Sequence, residues 1–117
     1  MGSIKTKRIY LPAEKVDGFR ILVDRLWPRG VSKETAKLDI WLKEIAPSTD
    51  LRKWYHSTEG AEKWEEFRER YIAELKNNPV IAELRIIIGR DENVTLLYSV
   101  NDEQHNHATI LKDFLEK

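Results

Sequence analysis

An α/β fold, a small single domain on a mostly parallel sheet of about three strands, follows from three features of this sequence. Residues 19–24 and 94–100 are runs of consecutive apolar residues rather than alternating ones, as expected of strands buried on both faces. The stretch between them is helical in pattern and returns to a strand of the same buried character; such a crossover implies parallel pairing. A chain of 117 residues with 41% apolar content supports one core and one domain, residues 1–117.

The elements follow in order. Residues 4–11 are rich in β-branched and aromatic side chains and read as a strand that Pro12 ends. Residues 12–18 form a loop closed by the turn pair Asp17-Gly18. Residues 19–24, FRILVD, are the strongest strand. Ser32 caps a short helix at 33–37, and residues 38–45, with Trp41, Leu42 and Ile45, read as a further helical turn or two. After Pro47, Ser48 or Thr49 caps a helix through Leu51, Trp54 and Tyr55. Thr58 opens the longest helix, about 59–76, where the spacing of Trp64, Phe67, Tyr71 and Leu75 predicts one buried face. Asn77-Asn78-Pro79 stops it. Residues 80–88 form a helix with Val80, Leu84 and Ile87/Ile88 inward, and residues 89–93 turn into the strand 94–100. The last helix carries Ala108, Leu111, Phe114 and Leu115 on one face.

Composition excludes several kinds of chemistry. The chain has no cysteine, so disulfides, thiolate catalysis, Fe–S clusters and cysteine-based zinc sites are ruled out. It lacks a P-loop, a G-x-G-x-x-G turn, H-E-x-x-H and G-x-S-x-G, so no bound cofactor is expected. The 20 basic and 20 acidic residues are unevenly placed: 12 Lys/Arg against 7 Asp/Glu in residues 1–58, and 8 against 13 in 59–117. That asymmetry implies either an anion-attracting face in the first half or two halves that attract each other. No apolar run reaches transmembrane length and no secretory segment precedes the first strand, which leaves the cytoplasm as the expected location and no membrane partner. Gly2 with Thr6 matches an N-myristoylation pattern, but a strand beginning at Ile4 leaves no linker for a lipid.

Polar residues follow both buried strands at once, where open α/β sheets bind ligands. The first cluster is Asp24-Arg25-Leu26-Trp27-Pro28-Arg29-Gly30. Pro28 keeps Trp27 out of the helical region, and Pro28 with Gly30 suits a tight turn that projects Arg25 and Arg29. Two planar guanidiniums suit a phosphate or carboxylate; the plainer alternative is an Asp24–Arg salt bridge with Trp27 plugging the sheet edge. The second cluster runs from Tyr98 to His107 and enters a helix, whose N-terminus attracts anions. Either Asn101, Asp102 or Asn106 serves as its cap. Asp24, His105 and His107 are the candidates for proton transfer, and Arg25, Trp27, Arg29, Tyr98 and Asn106 for ligand binding. No metal is assigned, because a His-x-His pair on a helix points to nearly opposite sides; in extended backbone His105 and His107 would share a face, with Asp24 as a conceivable third ligand. Trp41, Trp54 and Trp64 lie among apolar residues and read as core.

The blocks RILVDRLWPRG at 20–30, APSTDLRKWYH at 46–56, VTLLYS at 94–99 and NHA at 106–108 resemble the YeaO-like members of a bacterial and archaeal domain-of-unknown-function family. The resemblance covers nearly the whole chain and implies a complete small domain without supplying a reaction. Related members resemble a pattern with a longer helix between the first two strands, and some a Cys-His-Arg arrangement where this chain has Asn106-His107-Ala108. The functional expectation is a small anionic or nucleotide-like ligand held at the strand ends, with hydrolysis or group transfer as the fitting chemistry. The alternative is a non-catalytic module that binds nucleic acid or a protein partner.

Overall fold

The strand with the longest buried run lies inside the sheet. In the computed structural model, which describes residues 3–57, 63–90 and 93–117, β4 (Asn93–Tyr98) lies between β1 (Ser3–Arg8) and β2 (Phe19–Leu22). A short β3 (Ile40–Trp41) adds to the outer side of β2, giving the order β1-β4-β2-β3 with every pairing parallel. Around the sheet stand α1 (Lys33–Ala36), α2 (Thr49–Ser57), α3 (Trp64–Lys76), α4 (Val80–Arg90) and α5 (His107–Glu116). Among the described residues no helix is long and apolar enough to cross a membrane.

The continuous apolar runs are explained by two cores. Ile21, Val23, Val94, Leu96 and Tyr98 point to one face, against Tyr71, Leu75, Leu84 and Leu111 from the helices. Leu22 and Leu97, at the intervening positions, point to the other face with Ile9 and Ala36, and Trp27, Val31, Leu38 and Trp41 cover them. Phe67, Tyr71 and Leu75 form the expected buried face of α3, but Trp64 at its start is only half-buried. The Tyr71 hydroxyl donates to the Ile45 carbonyl at 2.6 Å, which satisfies the one polar atom of a fully buried ring.

The sheet has four strands rather than about three, and residues 38–45 are not the expected helical turns. Asp39 N–H donates to the Arg20 carbonyl at 2.9 Å and Leu42 N–H to the Leu22 carbonyl at 3.0 Å, so the exposed edge of β2 captures this segment as β3 before a 3-10 turn at Lys43–Ile45. The partner edge decides the outcome where local propensity is weak. The first strand ends at Arg8, not residue 11, because Leu11 N–H turns back to the Arg8 carbonyl. Helix α4 continues to Arg90, through part of the expected turn. The expected opening of α3 at Thr58, the end of that turn at residues 91–92, and Gly2 lie outside the described residues.

One charged cluster is buried. Asp17 accepts from Arg20 Nη1 at 2.5 Å, from Lys7 Nζ at 3.1 Å and from the Glu14 N–H at 2.9 Å. Arg20 also donates to the Ala36 carbonyl, and Thr95 Oγ1 donates to the Asp17 carbonyl, so the loop before β2, β4 and α1 are tied together. Burial alone would push the Asp17 carboxyl up, but the Glu14 N–H and the Lys7 and Arg20 cations outweigh it and hold it below the usual carboxylate range.

Two predictions follow from this frame. Gly18 has φ +66°, and a Cβ there would lie 2.2 Å from the Asn93 carbonyl oxygen. Gly18→Ala should therefore cost on the order of 2–3 kcal/mol in urea unfolding. Asp17→Asn should cost about 3 kcal/mol at pH 7, because it leaves buried cations uncompensated. A depressed folded-state pKa stabilises above the unfolded value, so that difference should shrink as pH falls below about 4; unfolding curves of both proteins from pH 7 to pH 3 would measure it.

Candidate functional site

Parallel strands end on the same edge, so the segments that leave β2 and β4 emerge side by side. Val23 N–H donates to the Leu97 carbonyl at 3.0 Å and extends the pairing to the residue before Asp24. Together with the start of α5, α2 and the first turns of α3, the two segments enclose a cavity of about 560 Å³.

Asp24 lies at its floor, 8% exposed. Its Oδ2 accepts from Ser99 Oγ at 2.6 Å, and its carbonyl accepts from Trp41 Nε1 at 2.7 Å. His107 Nε2 lies 3.0 Å from the Val23 carbonyl oxygen and 3.0 Å from Asp24 Oδ1. Both neighbours are acceptors, so Nε2 carries a hydrogen. That hydrogen is directed at the carbonyl, and Oδ1 stays buried beside the ring without a hydrogen bond. His107 is the first residue of α5, and Asn106 is its cap: Asn106 Oδ1 accepts from Thr109 N–H at 3.0 Å while Nδ2 donates to the Asp102 carbonyl.

The other predicted residues differ in what they meet. Arg25 lines the cavity but donates Nε to the Pro47 carbonyl and Nη2 to the Ala46 carbonyl, not to Asp24. Trp27 lines it too, with Nε1 on the Val31 carbonyl and its ring edge-on to Trp41 at 5.4 Å. Arg29 is an exposed rim residue whose carbonyl accepts from the Tyr10 hydroxyl. His105 also lines the cavity but faces Trp64, ring to ring at 4.9 Å, rather than the Asp24–His107 pair. Asp102 Oδ1 accepts from the N–H groups of His105 and Gln104, which hold its carboxyl below the usual range. Tyr98 is the one predicted residue that does not line the cavity: it is buried in the core, where burial pushes its phenol up. Among the described residues no group of three His, Asp or Glu side chains converges as metal ligands would.

Sequence reasoning missed the opposite wall. Arg52, Tyr55 and His56 on α2 line the cavity, and the Arg52 Nε is buried without a hydrogen bond. Their three- and four-residue spacing, which puts them on one helical face, was the available signal. Trp64, expected in the core, packs against it half-buried and also lines the cavity, 6.4 Å from the Tyr55 ring. Burial and the negative charge of Asp102 both push the Tyr55 phenol up. Arg25, Arg29 and Arg52 all line this one cavity, and among the described residues none has a carboxylate within ion-pair distance.

Comparison with known proteins gives a family and no activity. A family model described as the inactive DUF488-N3 subclade matches residues 3–117. The chain is 47% identical over 113 residues to the uncharacterized protein YeaO of Escherichia coli (strain K12), covering 97% of this chain and 96% of that protein. It is 38% identical over 112 residues to the uncharacterized proteins Mb3100c of Mycobacterium bovis and Rv3073c of Mycobacterium tuberculosis, covering 96% of this chain and 92% of each. No solved structure matches the chain.

The carbonyl contacts of Arg25 predict a structural share in its role. Arg25→Gln should lower stability by about 1.5–3 kcal/mol, the scale of hydrogen bonds to a charged group. Thermal and urea unfolding would check it; a loss under 0.5 kcal/mol would free Arg25 for the ligand alone.

Proposed function

Because this chain belongs to the inactive DUF488-N3 subclade, we propose that its cavity binds a small anionic or nucleotide-like ligand without turning it over. The observation that carries this reading is the set of three arginines, 25, 29 and 52, on one cavity with no carboxylate partner among the described residues. Arg52 adds a buried Nε with no hydrogen bond, and a cation left in that state favours an anion. A volume of about 560 Å³ suits a small molecule.

The polar floor supports binding over hydrolysis or group transfer. In a hydroxyl-nucleophile triad the imidazole touches the hydroxyl and the carboxylate orients the imidazole. Here the carboxylate sits in the middle: Ser99 donates to Asp24, and His107 lies on the far side with Nε2 aimed at a backbone carbonyl. Among the described residues the base that meets the Ser99 hydroxyl is the carboxylate that already holds it. The chain has no cysteine to take its place. A role in gripping nucleic acid is less well supported, since of the three cavity arginines Arg29 is exposed while Arg25 and Arg52 are half-buried.

Calorimetric titration with inorganic phosphate and pyrophosphate tests the proposal. Saturable binding is expected, weakened about tenfold or more by Arg52→Gln and by Arg29→Ala. Arg29→Ala should leave stability within about 0.5 kcal/mol of the parent. Absence of binding, or binding indifferent to both variants, would sink the reading.

A further inference from the structure

We infer that Asp24 selects the ligand by accepting a hydrogen bond from it, so that the cavity takes a nucleoside phosphate in preference to a bare anion. This rests on the anion-site reading above and adds what the rest of the ligand must carry.

A negative charge is out of place at the floor of an anion site unless it has a task. An ionised carboxylate offers about four lone-pair positions. Ser99 fills one at Oδ2; at Oδ1 the neighbour is His107 Nε2 at 3.0 Å, whose hydrogen goes to the Val23 carbonyl, so Oδ1 is buried without a hydrogen bond. A buried charged acceptor short of donors is costly. The Asp24 side chain lines the cavity and keeps a tenth of its surface exposed there, so a further donor reaches the carboxylate from the cavity side. A bare phosphate brings no such donor at neutral pH and meets repulsion from Asp24. A ligand that places an N–H or O–H there turns the repulsion into a charge-assisted hydrogen bond.

The walls supply the third requirement. Tyr55 and Trp64 line the same cavity at 6.4 Å from each other, and Phe67 stacks on Tyr55 at 4.4 Å. An inorganic anion would leave this aromatic surface in contact with water, whereas a flat base can lie against it. Guanidiniums, a donor-seeking carboxylate and an aromatic wall match the phosphate, the N–H or O–H groups and the ring of a nucleoside phosphate.

The test ranks ligands by calorimetry on the unaltered protein: inorganic phosphate, ribose 5-phosphate and the four common nucleoside monophosphates. At least one nucleotide should bind tenfold or more tighter than inorganic phosphate, and tighter than ribose 5-phosphate. Asp24→Asn should shrink that advantage to threefold or less while phosphate itself binds as well as before or better. Equal, Arg52-dependent binding of phosphate and nucleotides would overturn the selection by Asp24 and leave the anion site standing. Ribose 5-phosphate matching the best nucleotide would overturn the nucleoside. No binding by any probe would overturn both readings. An unchanged nucleotide advantage in Asp24→Asn would overturn the role of Asp24; if that variant does not fold, Ser99→Ala, which frees a second acceptor position on Asp24, should widen the advantage, and no widening would overturn it.

Discussion

The parallel pairing of β2 with β4 is the constraint from which the rest of this molecule follows. Phe19 to Leu22 lie opposite Val94 to Leu97, and both strands are covered on both faces. Because side chains alternate along a strand, a slip of one residue would exchange the two cores and carry Asp24 to the position where Val23 now packs. The close approach of Gly18 to Asn93 anchors one end of this register, and the Val23–Leu97 hydrogen bond anchors the other. Beyond that last bond the chain is free to present polar residues, and both strands do so at the same edge.

Asp24 is the joint of that edge. Through Ser99 it holds the segment leaving β4, through its carbonyl it holds Trp41 of β3, and beside it His107 brings in the first residue of α5. Asn106 fixes where α5 begins, and Arg25 fixes the loop that enters α2. The residues that shape the cavity are thus largely occupied in building it. That is why a structural share for these residues is compatible with the recognition role proposed above. The uneven charge of the chain also has a local expression: the three cavity arginines all come from the basic first half.

Much of the fold was legible because it depends on hydrophobic pattern. Two unbroken apolar runs marked the central pair of strands, and the periodicity of Phe67, Tyr71 and Leu75 marked the inner face of α3. Ser32 was legible as a cap because its side chain acts within one turn, on Thr35 N–H. Strand β3 was not, since two residues, Ile40 and Trp41, carry no period and take their form from the edge they meet. Tyr98 ends a buried strand just before the polar segment, and the pleat turns its side chain into the core. Trp64, three residues before Phe67 and the first of the stripe, both packs against the core and opens onto the cavity.

By itself, then, the sequence determined the α/β class, the two buried strands, the helical faces and the two polar segments that follow the strands. These are local properties, set by the order of apolar and polar residues within a few turns of chain. Tertiary structure alone decided that Arg52 and Tyr55 would face those segments across one cavity, that Arg25 would spend its guanidinium on carbonyls, and that Asp24 would stand between Ser99 and His107. Such choices depend on which groups meet across long separations in the chain, and a hydrogen bond or an unpaired charge exists only once both partners are in place.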